Sequence, residues 1–220
     1  MSYKVIVTGV TGMVGEGVLM ECLESPHISD VLTVSRKPTG RTHPKLKELI
    51  VPDFLTMTED ERLRGYDACF YCAGVSSVGM KEPEYTKMTF DTTIHFATVL
   101  AKLNPQMTFV YVSGASTDST EKGKMMWARV KGKTENTLAR MPFRNVHNFR
   151  PGFMQATPGQ KHLPSFYKYL GWSFPFFKIV MPNGTSTLQQ VARAMINTLV
   201  VGSDKPVLEV KDINALGNAG

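Results

Sequence analysis

Three glycines, Gly9, Gly12 and Gly15, stand three residues apart directly after the β-branched run Val5-Ile6-Val7. A strand that passes straight into a helix leaves the first N–H groups of that helix unpaired. Those groups and the helix dipole attract a phosphate. Each glycine has its own task in such a turn. Gly9 lets the chain bend sharply off the strand, Gly12 lets a pyrophosphate approach the backbone, and Gly15 lets the helix pack close to the strand. The chemistry to expect is dinucleotide binding. Two residues rather than one separate the first pair of glycines, which departs from G-x-G-x-x-G.

A dinucleotide site needs a residue to read the adenosine ribose, about 20 residues past the glycines at the end of the second strand. NAD-binding proteins place an acid there, whereas this chain offers Ser35-Arg36-Lys37. A guanidinium binds a 2′-phosphate bidentately and an acid repels it. The expected cofactor is therefore NADP, in preference to NAD. Two further loops should touch it. Asp53-Phe54 lies where an adenine edge would sit, and Cys72-Ala73-Gly74-Val75 has the small residues that let a ribose pass close to the backbone. Cys69 and Cys72 have CxxC spacing, but they lie on one strand whose alternation sends their side chains to opposite faces, so no metal site is expected.

The elements that must position these residues alternate along the chain. Strands are expected at Val5–Val7, Asp30–Ser35, Leu46–Val51, Ala68–Cys72, Met107–Val112 and Val146–Phe149. A long helix is expected over 82–103, with Met88, Ile94, Phe96, Ala97, Leu100 and Ala101 buried, and others over 124–140 and 187–201. A late strand at Val207–Val210 and a turn at Ile213–Leu216 close the pattern. Strands separated by helices imply right-handed crossovers. The fold class is α/β, a Rossmann-type doubly wound parallel sheet with helices on both faces. The 220 residues fit one domain spanning 1–220. Within it, 153–186 breaks the alternation and carries Phe166, Tyr167, Tyr169, Trp172, Phe174, Phe176 and Phe177. That stretch is too apolar for a linker and is expected to cap the substrate side.

Further motifs follow in chain order: Tyr111-Val112-Ser113, Val130-Lys131-Gly132-Lys133-x-Glu135 and Phe149-Arg150-Pro151-Gly152. With Thr8-Gly9-Val10-Thr11-Gly12-Met13-Val14-Gly15, they make the chain resemble the extended and atypical short-chain dehydrogenases/reductases. It looks most like the Tat-interacting tumour-suppressor oxidoreductase subgroup, and the resemblance covers most of the chain. It implies that Thr11, Met13 and Val14 on the turn, and Pro151, Gly152 and Phe153 after the sixth strand, also bind cofactor. The family's catalytic pattern is Tyr-x-x-x-Lys, with a serine after the fifth strand orienting a carbonyl. This implies catalytic roles for Lys131 and for Ser113 or Ser116. The tyrosine position, however, holds Trp127. An indole N–H donates a hydrogen bond but exchanges no proton near neutral pH.

Two functions follow. One is an NADP-dependent oxidoreductase acting on a small carbonyl or alcohol, with its proton from a cap tyrosine, His95, His162 or water. The other is a non-catalytic NADP(H) sensor of the same fold. The net charge of +6 is scattered, with no helix-turn-helix or zinc motif, so no nucleic-acid partner is expected. No run approaches the roughly 20 apolar residues of a membrane span. Three cysteines without a leader-like N-terminus point to the cytoplasm. The expected assembly is a monomer or homodimer.

Overall fold

The computed structural model of the chain describes residues 2–163 and 184–219. The aromatic stretch expected to form the cap, Tyr167 and Tyr169 included, lies mostly outside the described residues.

Strand β1 (Tyr3–Thr8) leads through the glycine turn into α1 (Met13–Glu24), then β2 (Ile28–Ser35), β3 (Leu46–Ile50) and β4 (Ala68–Tyr71). Next come α2 (Glu82–Thr86), a π-helical turn (Lys87–Asp91), α3 (Thr92–Leu103), β5 (Thr108–Val112), α4 (Met126–Leu138) and β6 (Asn145–Arg150). Beyond these lie β7 (Phe153–Gln155), β8 (Thr185–Thr187), α5 (Leu188–Val200), β9 (Val207–Glu209) and α6 (Val210–Gly217). Seven strands form one sheet in the order β3-β2-β1-β4-β5-β6-β9, and every pair is parallel. The sheet grows one way from β1 through β2 and β3, then the other way from β4. A crevice opens beyond the carboxyl ends of β1 and β4, where the direction of growth reverses.

The pleat assigns the apolar side chains to two layers. Val5 and Val7 face one way and pack with Val18 and Leu19 of α1, Val191 and Met195 of α5, and Ile213 of α6. Ile6 faces the other way and packs with Phe96 and Leu100 of α3 and Leu138 of α4. The sheet is therefore covered on both faces, the doubly wound arrangement expected of the alternation. Cys69 packs in the second layer and Cys72 against the first, so the two thiols do separate across the sheet.

Most element ends shift from the sequence reading by one or two residues, and three departures have a visible cause. The helix expected over 82–103 is interrupted by the π turn, where the Thr92 hydroxyl donates to the Lys87 carbonyl at 2.9 Å. The extra residue rotates the face, and Met88 and Ile94 are half-buried rather than core. The fifth strand starts at Thr108 because the Met107 N–H closes a turn on Asn104. The last expected turn is a helix, α6, begun by Asp212 reaching back to the Glu209 N–H. Between β6 and β9, β7 and β8 pair in parallel as a separate two-stranded sheet. Gly152 and Phe153 open that sheet, and a Cβ on Gly152 would stand 2.2 Å from the Gly184 carbonyl oxygen.

Candidate functional site

The glycine turn is built by close approach. Gly9 has φ +69°, and a Cβ on it would lie 2.5 Å from the backbone of Cys72. Only glycine satisfies both the conformation and the space. The Thr8 hydroxyl oxygen accepts from the N–H groups of Cys72 and Ala73 at 3.2 Å each, which ties the end of β1 to the end of β4. A Cβ on Gly15 would stand 2.2 Å from the Gly9 carbonyl oxygen. Gly15 therefore lets α1 press against the turn, and it does not itself line the cleft.

A cleft of about 760 Å³ opens above this turn. Thr11, Gly12, Met13 and Val14 form its floor, at the start of α1. Gly12 caps α1 without a side-chain hydrogen bond, so the first N–H groups have no side-chain acceptor there. A Cβ on Gly12 would meet only the Gly9 carbonyl oxygen, at 3.4 Å. The fold does not demand a glycine here, whereas a phosphate lying on this backbone would. Ser35 and Arg36 line one end of the cleft. The Ser35 hydroxyl donates to the Lys37 carbonyl at 2.6 Å and folds the loop back. Arg36 is exposed and has no side-chain partner among the described residues. Lys37 is also exposed but does not line the cleft.

Asp53 and Phe54 form a neighbouring wall. The Asp53 carboxylate accepts from the Leu55 N–H at 2.9 Å, and Phe54 stacks on Phe96 with ring centroids 5.0 Å apart. Cys72, Ala73, Gly74 and Val75 run along the carboxyl end of β4. Burial pushes the Cys72 thiol up to about 12, so it is no nucleophile near neutral pH.

Lys131 reaches the cleft from α4. Its ammonium donates to the backbone carbonyl of Ser113. Burial pushes its pKa down to about 8, against the opposing pull of the Glu135 charge. The Ser113 hydroxyl is turned away from the cleft. It is buried, and donates to Glu135 at 2.5 Å with the Phe149 carbonyl at 3.1 Å. Glu135 is in turn paired with Arg150 at 2.5 Å, and Arg150 with Glu209 at 3.1 Å. In this geometry the Ser113 hydroxyl is engaged with the Glu135–Arg150 ion pair and does not line the cleft. Ser116 sits exposed with φ +66° and does not line the cleft. Trp127 is half-buried one helical turn before Lys131, also outside the lining. Pro151, Gly152 and Phe153 are likewise absent from it. The carbonyl of Pro151 holds the Ala115 N–H at 2.9 Å, which fastens the loop after β6 to the loop after β5. His95 is engaged with the Met57 carbonyl at 2.8 Å, outside the cleft. His162 approaches Glu16 at 3.3 Å.

Several residues of the site escape a reading by motif. Lys87, Met88 and Thr92 of the π turn and its exit line the cleft, as do Pro52, Leu55, Tyr71 and Val112. Glu135 stood in the Val130-Lys131-Gly132-Lys133-x-Glu135 motif, but its pairing with Ser113 and Arg150 carried no signal there.

A model of the NAD dependent epimerase/dehydratase family matches residues 5–126. The match ends one residue before Trp127. The leucinostatins biosynthesis cluster protein T of Purpureocillium lilacinum is 33% identical over 113 residues, or 50% of this chain and 42% of that protein. The chain thus spans less than half the length of that relative. Among solved structures, MoeE5 in complex with UDP-glucose and NAD superposes with a TM-score of 0.67 at 16% identity, covering 97% of this chain and 80% of the other. The Bordetella bronchiseptica enzyme WbmF in complex with NAD+ superposes at 0.63 and 14% identity, covering 100% and 80%. These two share the Rossmann-type fold. Among the described residues, no helix is long and apolar enough to cross a membrane.

Proposed function

Because the chain belongs to the NAD dependent epimerase/dehydratase family, we propose that it is an NADP(H)-binding oxidoreductase acting on a small carbonyl or alcohol. One observation carries this reading. The bare Gly12 turn, the uncapped start of α1 and the unpartnered Arg36 line a single cleft at the β1/β4 crevice. The α1 N–H groups and dipole suit the pyrophosphate. Arg36 suits a 2′-phosphate, with Lys37 adding positive charge nearby. Asp53 and Phe54 border the adenine end, Ala73 and Gly74 leave room for a ribose, and Lys131 offers an ammonium to the second ribose. When bound, the nicotinamide supplies hydride chemistry. The NAD named with MoeE5 and WbmF belongs to those proteins. The choice of the phosphorylated cofactor for this chain rests on Arg36. The resemblance to the Tat-interacting subgroup supports the same choice of reaction class.

A second reading is favoured by a separate observation. Trp127 stands at the acid/base position, and the Ser113 hydroxyl faces Glu135 rather than the cleft. A protein that keeps the cofactor elements without these two groups fits a non-catalytic NADP(H) sensor. Titration calorimetry with NADPH and NADH, followed by a screen of carbonyl compounds for NADPH oxidation, separates the two. Tight NADPH binding with turnover supports the oxidoreductase, and tight binding without turnover on a broad panel supports the sensor. Equal affinity for the two cofactors would remove the role given to Arg36. Arg36→Asp is expected to cost NADPH affinity tenfold or more, since a charge-assisted contact is worth roughly 1.5–3 kcal/mol.

A further inference from the structure

Glu16 is a glutamate with almost no solvent exposure, one turn into the helix whose start faces the cleft. Its position is unexpected on phosphate binding alone, because a negative charge beside a helix N-terminus opposes an incoming anion. The carboxylate is fully engaged. Arg41 donates to Oε1 at 2.5 Å, the Lys161 N–H reaches both oxygens at 3.0 Å, and the His162 N–H reaches Oε2 at 2.7 Å. The same Arg41 nitrogen also contacts the Gly159 carbonyl at 3.3 Å. One carboxylate therefore joins α1, the loop after β2 and the segment that follows β7.

The loop after β2 is the one that carries Arg36. It is held at successive points. Ser35 bonds the Lys37 carbonyl at 2.6 Å, the Thr39 N–H donates to Glu48 of β3 at 3.2 Å, and the Thr39 hydroxyl bonds the same carboxylate. Gly40 takes φ +65°, and the Arg41 N–H returns to the Thr39 hydroxyl at 3.2 Å. Arg41 then closes the loop onto Glu16. Arg36 opens this loop, directly after Ser35 at the end of β2, and the anchors to β3 and to the phosphate-facing helix follow at Thr39 and Arg41.

We infer that Glu16 is a specificity-positioning residue: through Arg41 it fixes the Arg36 loop against α1, so that the guanidinium and the helix start are spaced for a phosphorylated dinucleotide before it arrives. The inference rests on the proposed role of Arg36 and deepens it. A loop already ordered loses less freedom on binding, and the gain appears only for the ligand that Arg36 contacts. Glu16 touches no ligand in this scheme. The ion pair with Arg41 also cancels the charge that would otherwise oppose the pyrophosphate.

The test is the ratio of NADH to NADPH dissociation constants, measured by titration calorimetry on the full chain. Glu16→Gln and Arg41→Met should each lower the ratio about three- to tenfold, the scale of one or two side chains that must be ordered on binding. Arg36→Met should lower it at least as far, and adding Glu16→Gln to Arg36→Met should then change nothing more. A merely structural role would lower the melting temperature and leave the ratio alone. An unchanged ratio in both single variants, or an equal further fall in the Arg36→Met background, would overturn the inference while the role of Arg36 stands. A native protein with no preference between the cofactors would overturn both. Arg41→Met keeps the test sound if Glu16→Gln does not fold, because Arg41 is 22% exposed and its removal leaves the backbone donors to Glu16 in place.

Discussion

Gly15 and Gly9 touch where any side chain on Gly15 would have to be: a Cβ there would lie 2.2 Å from the Gly9 carbonyl oxygen. Gly12, between them, would place its Cβ 3.4 Å from the same oxygen. The three glycines thus have different sensitivities. Gly15→Ala must push α1 off the turn, and a cost of 1–3 kcal/mol or more is expected from overpacking at a backbone contact. Gly12→Val should fold with near-native stability and lose NADPH binding, since its side chain enters the cleft. Denaturant midpoints and calorimetry measure both. A Gly12→Val protein that still binds NADPH would show that the nucleotide lies elsewhere.

Ser113 offers a direct check on the substitution of roles at the end of β5. Its hydroxyl donates to Glu135, which also carries the buried ion pair with Arg150. Ser113→Ala leaves one buried carboxylate bond unmade. The expected loss of stability is about 1–3 kcal/mol, with NADPH affinity unchanged. Should the variant be as stable as the native protein and yet lose turnover on a substrate that the native protein accepts, the hydroxyl faces substrate after all.

Glu16 predicts a pH dependence of stability. Burial alone would raise its carboxyl, but the Arg41 hydrogen bond, the N–H groups of Lys161 and His162 and the nearby His162 hold it below the usual 4.5. A carboxyl with a lowered pKa in the folded state contributes stability that is present above its unfolded value and lost as the pH falls through the lowered one. Native protein should therefore exceed Glu16→Gln in stability near neutral pH, and the gap should narrow below 4.5. Urea midpoints taken near neutrality and about one unit below that value decide it. A gap that stays constant would mean that the carboxylate charge contributes nothing to the latch.

The glycine turn and the sheet were legible because both are local. Val5, Ile6 and Val7 declare a buried strand, and the absence of side chains at Gly9 and Gly15 declares close backbone approach. The direction of the Ser113 hydroxyl was not legible, because it depends on Glu135 and on Arg150, which arrive from α4 and β6. The π turn was hidden because one inserted residue leaves the apolar composition of the helix intact while rotating Lys87 and Met88 into the cleft. Glu16 was hidden for another reason. An acid in the first turn of a helix is what an exposed helix start favours, and only the chain 25 residues later and the segment near 160 bury it.

Lys131 carries the last prediction. It is a half-buried lysine whose ammonium is bonded to the Ser113 carbonyl, with burial lowering its pKa to about 8. Two consequences have opposite settings. Between about 8 and the usual lysine value of 10.5, the unfolded chain holds a proton that the folded one has released, so the protein without cofactor should gain stability as the pH rises across that window. Binding should respond in the reverse sense. The ammonium is the form that attracts a ribose hydroxyl and nearby phosphates, so NADPH affinity should fall as the pH rises through about 8. The Cys72 thiol is held up to about 12, so it does not produce this inflection. Lys131→Met removes the titrating group and should flatten both profiles, with weaker NADPH binding at neutral pH. Urea midpoints and calorimetric affinities measured from about one unit below to about one unit above the expected value test it together. A native affinity profile that is flat across that range, or one that keeps its inflection in Lys131→Met, would assign the cleft's titration to another group.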